Sequence, residues 1–227
     1  MAARSVKLNE IIEEAQALAS EHAVLLGVTA IAITALYSGL DWITLATQDR
    51  GGTGLLSSLL GLTVSIFGQY HVTEQMLADR RETGVQPAVR RYGSLFGALF
   101  LSGIAIAVGV ICFIIPGLYL AGRWLTVSAR VVEGNLGGTE ALRASWADSE
   151  PSQLAFSLTY LISLAPLALL LAIGFGGWEA LFDTNDFASI AFVNLATGFT
   201  SVLGWTIATA AFRRAVPINP GVGQVFS

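Results

Sequence analysis

Four polar side chains recur at steps of three and four residues in an otherwise apolar stretch: Arg123, Thr126, Arg130 and Glu133. If one helix begins near Leu118, this spacing places all four on one face. A charged side chain near the middle of a membrane costs about 2.5 kcal/mol or more, so the face should point into the protein or toward an interface. Arg123 and Arg130 would then serve as guanidinium forks for a lipid phosphate or a transported anion.

The same residues also fit a purely structural role. Arg130 can pair with Glu133 one turn away, and backbone carbonyls or a neighbouring acid can satisfy Arg123. Asp41, near the outer end of the first apolar run, is one acid that can face Arg123. The spacing leaves both interpretations open.

A second polar group occupies the inner half of the second apolar run and consists of Gln69, Tyr70, His71, Glu74 and Gln75. Glu74 is expected at the depth of Arg130, which makes an ion pair between them a further prediction. Gln69 and Glu74 are therefore added to the candidate lipid- or anion-binding residues. His71 and Gln75 are better explained as polar anchors at the end of a span.

Residues that would support catalysis or metal binding are scarce. His22 and His71 are the only histidines, and Cys112 is the only cysteine. Neither histidine belongs to a His-Glu-x-x-His pattern, and one cysteine cannot make a multi-cysteine zinc site. The basic residues are too few and too dispersed for nucleic-acid binding. The sequence predicts a protein that is not an enzyme and that uses no metal or cofactor.

The composition indicates that these polar residues belong to an all-α, polytopic membrane bundle. Hydrophobic residues make up 54%, charged residues only 12%, and the mean hydropathy is +0.66. Within residues 22–214, apolar runs predict six transmembrane helices, of which the fourth is short. Pro166 is expected to kink the fifth. The predicted spans are residues 23–47, 54–78, 93–115, 118–132, 154–175 and 187–212.

Amphipathic segments flank or interrupt these spans. Within residues 1–21, one helical face collects Leu8, Ile11, Ile12, Ala15 and Leu18. This helix either lies along the membrane interface or docks on the protein's own cytoplasmic loops. A second amphipathic helix is expected at about residues 139–149, and residues 215–227 are expected to be irregular.

The distribution of Lys and Arg predicts the orientation. In the six-span arrangement, the opposite side holds Arg50 alone, while the remaining basic connectors fall on one side. Positive residues are retained in the cytoplasm, so both termini are expected there.

Three short runs carry a resemblance: I-P-G-L-Y-L-A-G-R-W at residues 115–124, V-V-E-G at 131–134 and E-A-L-R-A-S-W at 140–146. Together they resemble the membrane domain of glycerophosphoryl diester phosphodiesterases and related six-span bacterial inner-membrane proteins. The resemblance implies a module of the bacterial inner membrane, without the soluble domain that supplies phosphodiesterase activity. The positions it singles out are Pro116, Gly117, Arg123, Trp124, Glu133, Gly134, Ala141, Leu142, Ser145 and Trp146.

Local chemistry gives these positions further expected roles. Pro116-Gly117 can make a tight turn on the outer face. Residues 134–138 can release the chain from the fourth span, and Thr139 can cap the next helix. Small residues at four-residue spacing offer helix contact faces, either internal or between two copies of the chain. These are Gly93 with Gly97, and Ser57 with Gly61 and Ser65.

These observations favour a non-enzymatic membrane protein that handles lipid, supports envelope homeostasis or assists the assembly of a complex. The expected partners are membrane lipids, with a membrane-protein partner or a second copy of the chain as the other option. The alternative is a small transporter or channel that uses the polar face of the fourth span.

Overall fold

The computed structural model describes residues 4–47, 52–80, 90–175 and 186–216, and every regular element in these ranges is helical. In the described ranges ten α-helices follow one another, with short 3-10 turns at Ala78–Arg80 and Glu150–Ser152. The helices are α1 Leu8–Glu21, α2 Ala23–Thr47, α3 Gly52–Met76, α4 Tyr92–Cys112, α5 Ile114–Arg123, α6 Val127–Gly134, α7 Gly138–Ser149, α8 Gln153–Ser163, α9 Ala165–Phe175 and α10 Phe187–Ala215.

Within the described ranges, α2, α3, α4 and α10 are long and apolar enough to cross a membrane. Large apolar side chains on their outer surfaces remain exposed, including Val24 at 81% and Leu55 at 69%. Because a soluble protein rarely exposes so much contiguous apolar surface, this surface fits contact with lipid chains. The prediction of an all-helical chain is confirmed for the described residues, and the four apolar helices are consistent with the predicted membrane protein.

The predicted fourth and fifth spans are each divided into two shorter helices. A turn at residues 124–126 separates α5 from α6, and Leu164 separates α8 from α9. Pro166 is the second residue of α9, where a helix does not need its missing N–H. The expected interruption near Pro166 is therefore present as a break.

The reversal between α4 and α5 occurs at Phe113, whose backbone is extended with φ −161° and ψ 137°. The predicted Pro116-Gly117 turn is wrong, because both residues lie in the first turn of α5. Proline is tolerated there, since the first N–H groups of a helix have no partner inside it. Gly117 instead allows close helix contact: a Cβ built on it would lie 2.3 Å from Val110 Cγ2.

The connection between α6 and α7 turns at Asn135, which has a left-handed backbone with φ 48°. This αL residue ends α6 directly after Gly134, as helix C-termini commonly do. The predicted Thr139 cap is wrong, because Gly137 is the N-cap of α7. The Gly137 N–H donates to Glu140 Oε2 over 3.0 Å.

The last turns of α10 form the centre of the packing. From Trp205 to Ala215 most side chains are buried, and Phe212 is fully buried. One apolar cluster joins this part of α10 to α1, α2 and α8, and a second joins Phe212 to α3, α4, α6 and α7. Ile11, Ala15 and Leu18 belong to the first cluster. The apolar face of α1 is therefore docked on the protein, against helices rather than loops.

The predicted small-residue faces differ in whether another helix packs on them. Tyr37 packs on Gly61, where a Cβ would lie 2.9 Å from the Tyr37 ring, and the Tyr37 hydroxyl donates to the Gly61 carbonyl over 3.1 Å. Gly61 is thus an internal contact, as one of the two options predicted. A Cβ on Gly93 or Gly97 would meet no other residue within 4 Å in the described chain.

Candidate functional site

The four polar residues at 123–133 do not share one helix face, because α5 ends at Arg123 and α6 begins at Val127. In a continuous helix the Arg123 carbonyl would accept the Val127 N–H. Here the Val127 N–H bonds to the Trp124 carbonyl over 3.2 Å, and the Arg123 carbonyl accepts the Ser145 hydroxyl over 2.9 Å. The Thr126 hydroxyl in turn donates to Ser145 Oγ over 2.9 Å. Contacts with α7 hold the turn in place.

Arg130 forms a two-pronged ion pair with Asp148 of α7. Its Nε donates to Asp148 Oδ2 over 2.7 Å, and its Nη2 donates to Oδ1. The predicted pairs of Arg130 with Glu133 and with Glu74 are wrong, because Asp148 provides both acceptor oxygens to one guanidinium. The Asp148 side chain is only 5% exposed, so the pair lies inside the protein.

Glu133 pairs with Arg80, which follows α3. Arg80 Nε lies 2.9 Å from Glu133 Oε1, and its terminal nitrogens donate to the carbonyls of Arg213 and Val216 over 3.1 and 2.6 Å. The Arg80 side chain is 4% exposed. This guanidinium is neutralised and hydrogen-bonded where the C-terminal end of α10 meets α3 and α6.

The ring of Phe212 contacts both internal arginines. Arg80 Cζ lies 5.3 Å and Arg130 Cζ 5.2 Å from the ring centroid, within the range of a cation–π interaction. Each cation also has its own carboxylate partner. This arrangement stabilises the junction of α3, α6, α7 and α10, and it occupies two of the residues predicted to bind an anion, Arg130 and Glu133.

The polar group on α3 is divided between the interior and the surface. Glu74 pairs with Arg90 over 3.1 Å just before α4, and this contact raises the pKa of Arg90. Gln69 is buried and lines an apolar cleft of about 390 Å³ between α3 and α4. His71 and Gln75 are exposed, as expected for anchors at the end of a span.

Asp41 does not contact Arg123. Its Oδ2 accepts a hydrogen bond from Asn194 Nδ2 of α10 over 2.8 Å. The predicted approach to Arg123 is wrong, because the partners of Arg123 are Tyr119 of α5 and Trp146 of α7.

Arg123 is surrounded by aromatic rings. Its Nε and Nη2 donate to the Tyr119 hydroxyl over 2.9 and 2.8 Å, and Nη1 donates to the Trp146 carbonyl over 3.1 Å. Its Cζ lies 5.1 Å from the Tyr119 ring centroid and 4.8 Å from that of Trp146. Trp124 packs beside Trp146, with ring centroids 5.8 Å apart. We call Tyr119, Arg123, Trp124 and Trp146 the aromatic patch.

The charge of Arg123 is not neutralised by a carboxylate in the part of the chain that the structure describes. Three more deeply packed arginines each have a carboxylate within 4 Å: Arg80, Arg130 and Arg213. Tyr119 and Trp146 are 40% and 38% exposed, so the aromatic patch lies at the surface. Of the candidate binding residues, Arg123 retains both its positive charge and access from outside.

A separate ionic cluster joins α1 to the C-terminal end of α10. Arg213 Nε donates to Glu14 of α1 over 2.7 Å, and its Nη1 donates to Asp79 over 2.6 Å. Arg214 Nε lies 2.9 Å from Glu14. The hydrogen bond from Arg213 lowers the pKa of Asp79 below its usual value.

Asp79→Asn is expected to lower the free energy of unfolding at neutral pH by up to about 1 kcal/mol, because the Asp79 side chain is 55% exposed. Because the pKa of Asp79 is lowered in the folded state, Asp79 stabilises the fold fully at pH values above its unfolded-state pKa of about 3.9. This stabilisation is lost as the pH falls through the folded-state pKa. Unfolding titrations of both proteins at neutral and acid pH should show curves that converge in acid. A difference that persists unchanged in acid would contradict the assignment.

Asp148 and Asn194 are the important residues that the sequence reasoning missed. Ala141, Ser145 and Asp148 follow at steps of four and three, so they lie on one face of α7. This spacing could have identified Asp148 as a polar residue on the buried face. Asn194 is a lone amide inside a long apolar run, which itself suggests a polar partner.

Comparisons with family models, with curated proteins and with solved structures found no match. The described residues also contain no group of three or more His, Cys, Asp or Glu side chains that could hold a metal ion. The aromatic patch is therefore interpreted from its own chemistry.

Proposed function

We propose that the chain is a non-enzymatic, lipid-binding accessory protein of the bacterial inner membrane, and that the aromatic patch binds the phosphate of an anionic phospholipid. One observation carries the proposal. The Arg123 guanidinium is partly exposed and held by rings and a carbonyl, whereas Arg80 and Arg130 are each neutralised by a carboxylate.

The contacts of Arg123 orient it without cancelling its charge. Hydrogen bonds to Tyr119 Oη and to the Trp146 carbonyl fix the plane of the guanidinium, and two of its five N–H groups remain for a phosphate oxygen. Tyrosine and tryptophan rings are typical of the membrane interface, where headgroups lie. A fixed guanidinium beside such rings suits a lipid phosphate.

The surface of α5 continues from Arg123 as an apolar path. Ile115, Tyr119 and Arg123 follow at steps of four, so they lie along one side of the helix. Ile115 is 80% exposed, about 12 Å along the helix from Arg123. A lipid with its phosphate at Arg123 would lay an acyl chain on this side of α5.

The proposal includes six membrane crossings. In it, α5 with α6 and α8 with α9 each act as one interrupted crossing, since each pair covers about the length that a bilayer requires. In this arrangement the connectors that carry most of the Lys and Arg residues lie on one side of the membrane. Because basic connectors are retained in the cytoplasm, both termini are assigned to it. In this topology Arg123 ends α5 about midway along the α5–α6 crossing, and α7, which supplies Trp146, connects the aromatic patch to the cytoplasmic side.

Arg123→Gln is expected to weaken binding of phosphatidylglycerol roughly tenfold, because a charge-assisted hydrogen bond contributes about 1.5–3 kcal/mol. The substitution removes the cation but keeps a hydrogen-bonding side chain, although a shorter one, so the fold should persist. Native mass spectrometry of the purified chain measures lipid occupancy, and thermal unfolding measures stability. Binding of phosphatidylcholine should change less.

Arg143→Gln is the matched control, because Arg143 is exposed on α7 and has no carboxylate within 4 Å among the described residues. It should bind phosphatidylglycerol as the unsubstituted chain does. Lower stability of Arg123→Gln with unchanged lipid occupancy would overturn the proposal and assign Arg123 a structural role.

The alternative of a transporter or channel along the polar face of the fourth span has weaker support. Arg130 faces Asp148 of α7 and Glu133 faces Arg80, so these side chains pack on protein. A conduction path along this face would need both ion pairs to open. Ion or solute flux in liposomes containing the purified chain would restore this alternative.

A further inference from the structure

A cavity of about 440 Å³ opens between α2, α3 and α10, lined by residues distinct from the aromatic patch. Leucine side chains form part of its wall, and the remainder is rich in oxygen atoms. Its oxygen-bearing side chains are Tyr37, Asp41, Thr44, Ser57, Ser58 and Asn194. A cavity with this lining, between three helices long enough to span a membrane, needs a polar occupant.

Asp41 supplies the charge of this cavity. It lies in α2 about 9 Å before the helix ends at Thr47, among exposed apolar neighbours such as Trp42 and Ile43. In the described ranges no Lys or Arg nitrogen lies within 4 Å of its carboxylate. Charged side chains inside membrane-spanning helices are rare and mark ion or substrate sites.

The groups around Asp41 are held in place by one another. Asn194 Nδ2 donates to Asp41 Oδ2 over 2.8 Å and joins α10 to α2. The hydroxyls of Thr44 and Ser57 lie 3.0 Å apart and join α2 to α3. Asn194 is 7% exposed, so its amide is set by packing as well as by hydrogen bonds. The oxygen atoms therefore surround a site whose geometry is fixed by three helices.

The ligand chemistry points to a small monovalent cation. Carboxylate, hydroxyl and amide oxygens suit hard cations, and a single carboxylate balances one positive charge. A divalent ion would leave an excess charge in an apolar region. Since a water occupies about 30 Å³ in the liquid, the cavity has room for a cation with part of its hydration shell. We propose that this cavity binds a partly hydrated monovalent cation of the Na⁺ class through Asp41.

Asp41→Asn should abolish saturable binding of ²²Na⁺, because the substitution removes the charge while keeping the size and the contact with Asn194. Scintillation proximity with the purified chain in nanodiscs measures the binding. Asp186→Asn is the matched control, since Asp186 caps α10 through Ser189 and lies outside the cavity. Thermal unfolding of each variant establishes that it is folded.

Asn194→Ala gives an independent test if Asp41→Asn is unstable, and it should reduce ²²Na⁺ affinity severalfold. K⁺ should compete for the site, and N-methylglucamine should not. The proposal is overturned if the unsubstituted chain shows no saturable binding, if Asp41→Asn binds equally well, or if the organic cation competes as strongly as unlabelled Na⁺.

Discussion

Replacing Asp148 by leucine is expected to lower the free energy of unfolding by about 3–5 kcal/mol, one of the two largest effects of any single substitution considered. The reason is that Arg130 would keep its charge inside the protein without its two-pronged acceptor. Thr126 would also lose a contact to Asp148 Oδ2 at 3.4 Å. Unfolding by a denaturing detergent in mixed micelles measures the loss.

A double substitution distinguishes a lost ion pair from a general disturbance of α7. Arg130→Met together with Asp148→Leu removes both charges, so it should cost clearly less than Asp148→Leu alone. Glu150→Gln serves as the control, because Glu150 is exposed next to the C-terminal end of α7. Equal losses in the single and double variants would refute the pairing as the cause.

Replacing Gly117 by alanine is expected to cost about 3 kcal/mol or more, because it forces α5 away from α4. A Cβ at this position would lie 2.3 Å from Val110 Cγ2 and 2.7 and 2.9 Å from the Val110 backbone N and Cα. The side chain of Val110 can move, but its backbone cannot move without shifting α4. The same unfolding measurement applies, with near-ultraviolet circular dichroism to report on packing.

Gly97→Ala is the matched control within α4, since a Cβ there meets no other residue within 4 Å. It should leave stability unchanged or raise it by up to about 1 kcal/mol, as alanine favours helix more than glycine does. Adding Val110→Ala to Gly117→Ala should recover only part of the loss, because the backbone contacts remain. Full recovery would show that the backbone approach matters little.

The sequence predicted the long helices well, because their signal is local. The predicted spans 23–47 and 187–212 correspond closely to α2 and α10, and Pro166 indicated the interruption beside α9. The break at 124–126 has no such local signal. It depends on Ser145 of α7, whose hydroxyl donates to the Arg123 carbonyl. In a continuous helix that carbonyl would accept the Val127 N–H.

The site was predicted less well, because spacing along a helix suggests neighbours in the chain rather than neighbours in space. The spacing predicted an ion pair between Arg130 and Glu133, one turn apart. In the structure Arg130 pairs with Asp148, and Glu133 pairs with Arg80. Arg123 donates to one backbone carbonyl, as one of its two predicted interpretations expected, but that carbonyl and the neighbouring ring belong to Trp146 of α7. Only the folded chain brings these groups together.

The contact between α1 and α10 can form only after both helices have been synthesised. Glu14 lies in α1, and its partners Arg213 and Arg214 come from α10, 199 residues later in the case of Arg213. The Arg4 N–H also donates to the Ala215 carbonyl over 3.2 Å. The docking site of α1 is therefore incomplete until α10 has been synthesised, and truncation before Arg213 removes both residues that pair with Glu14.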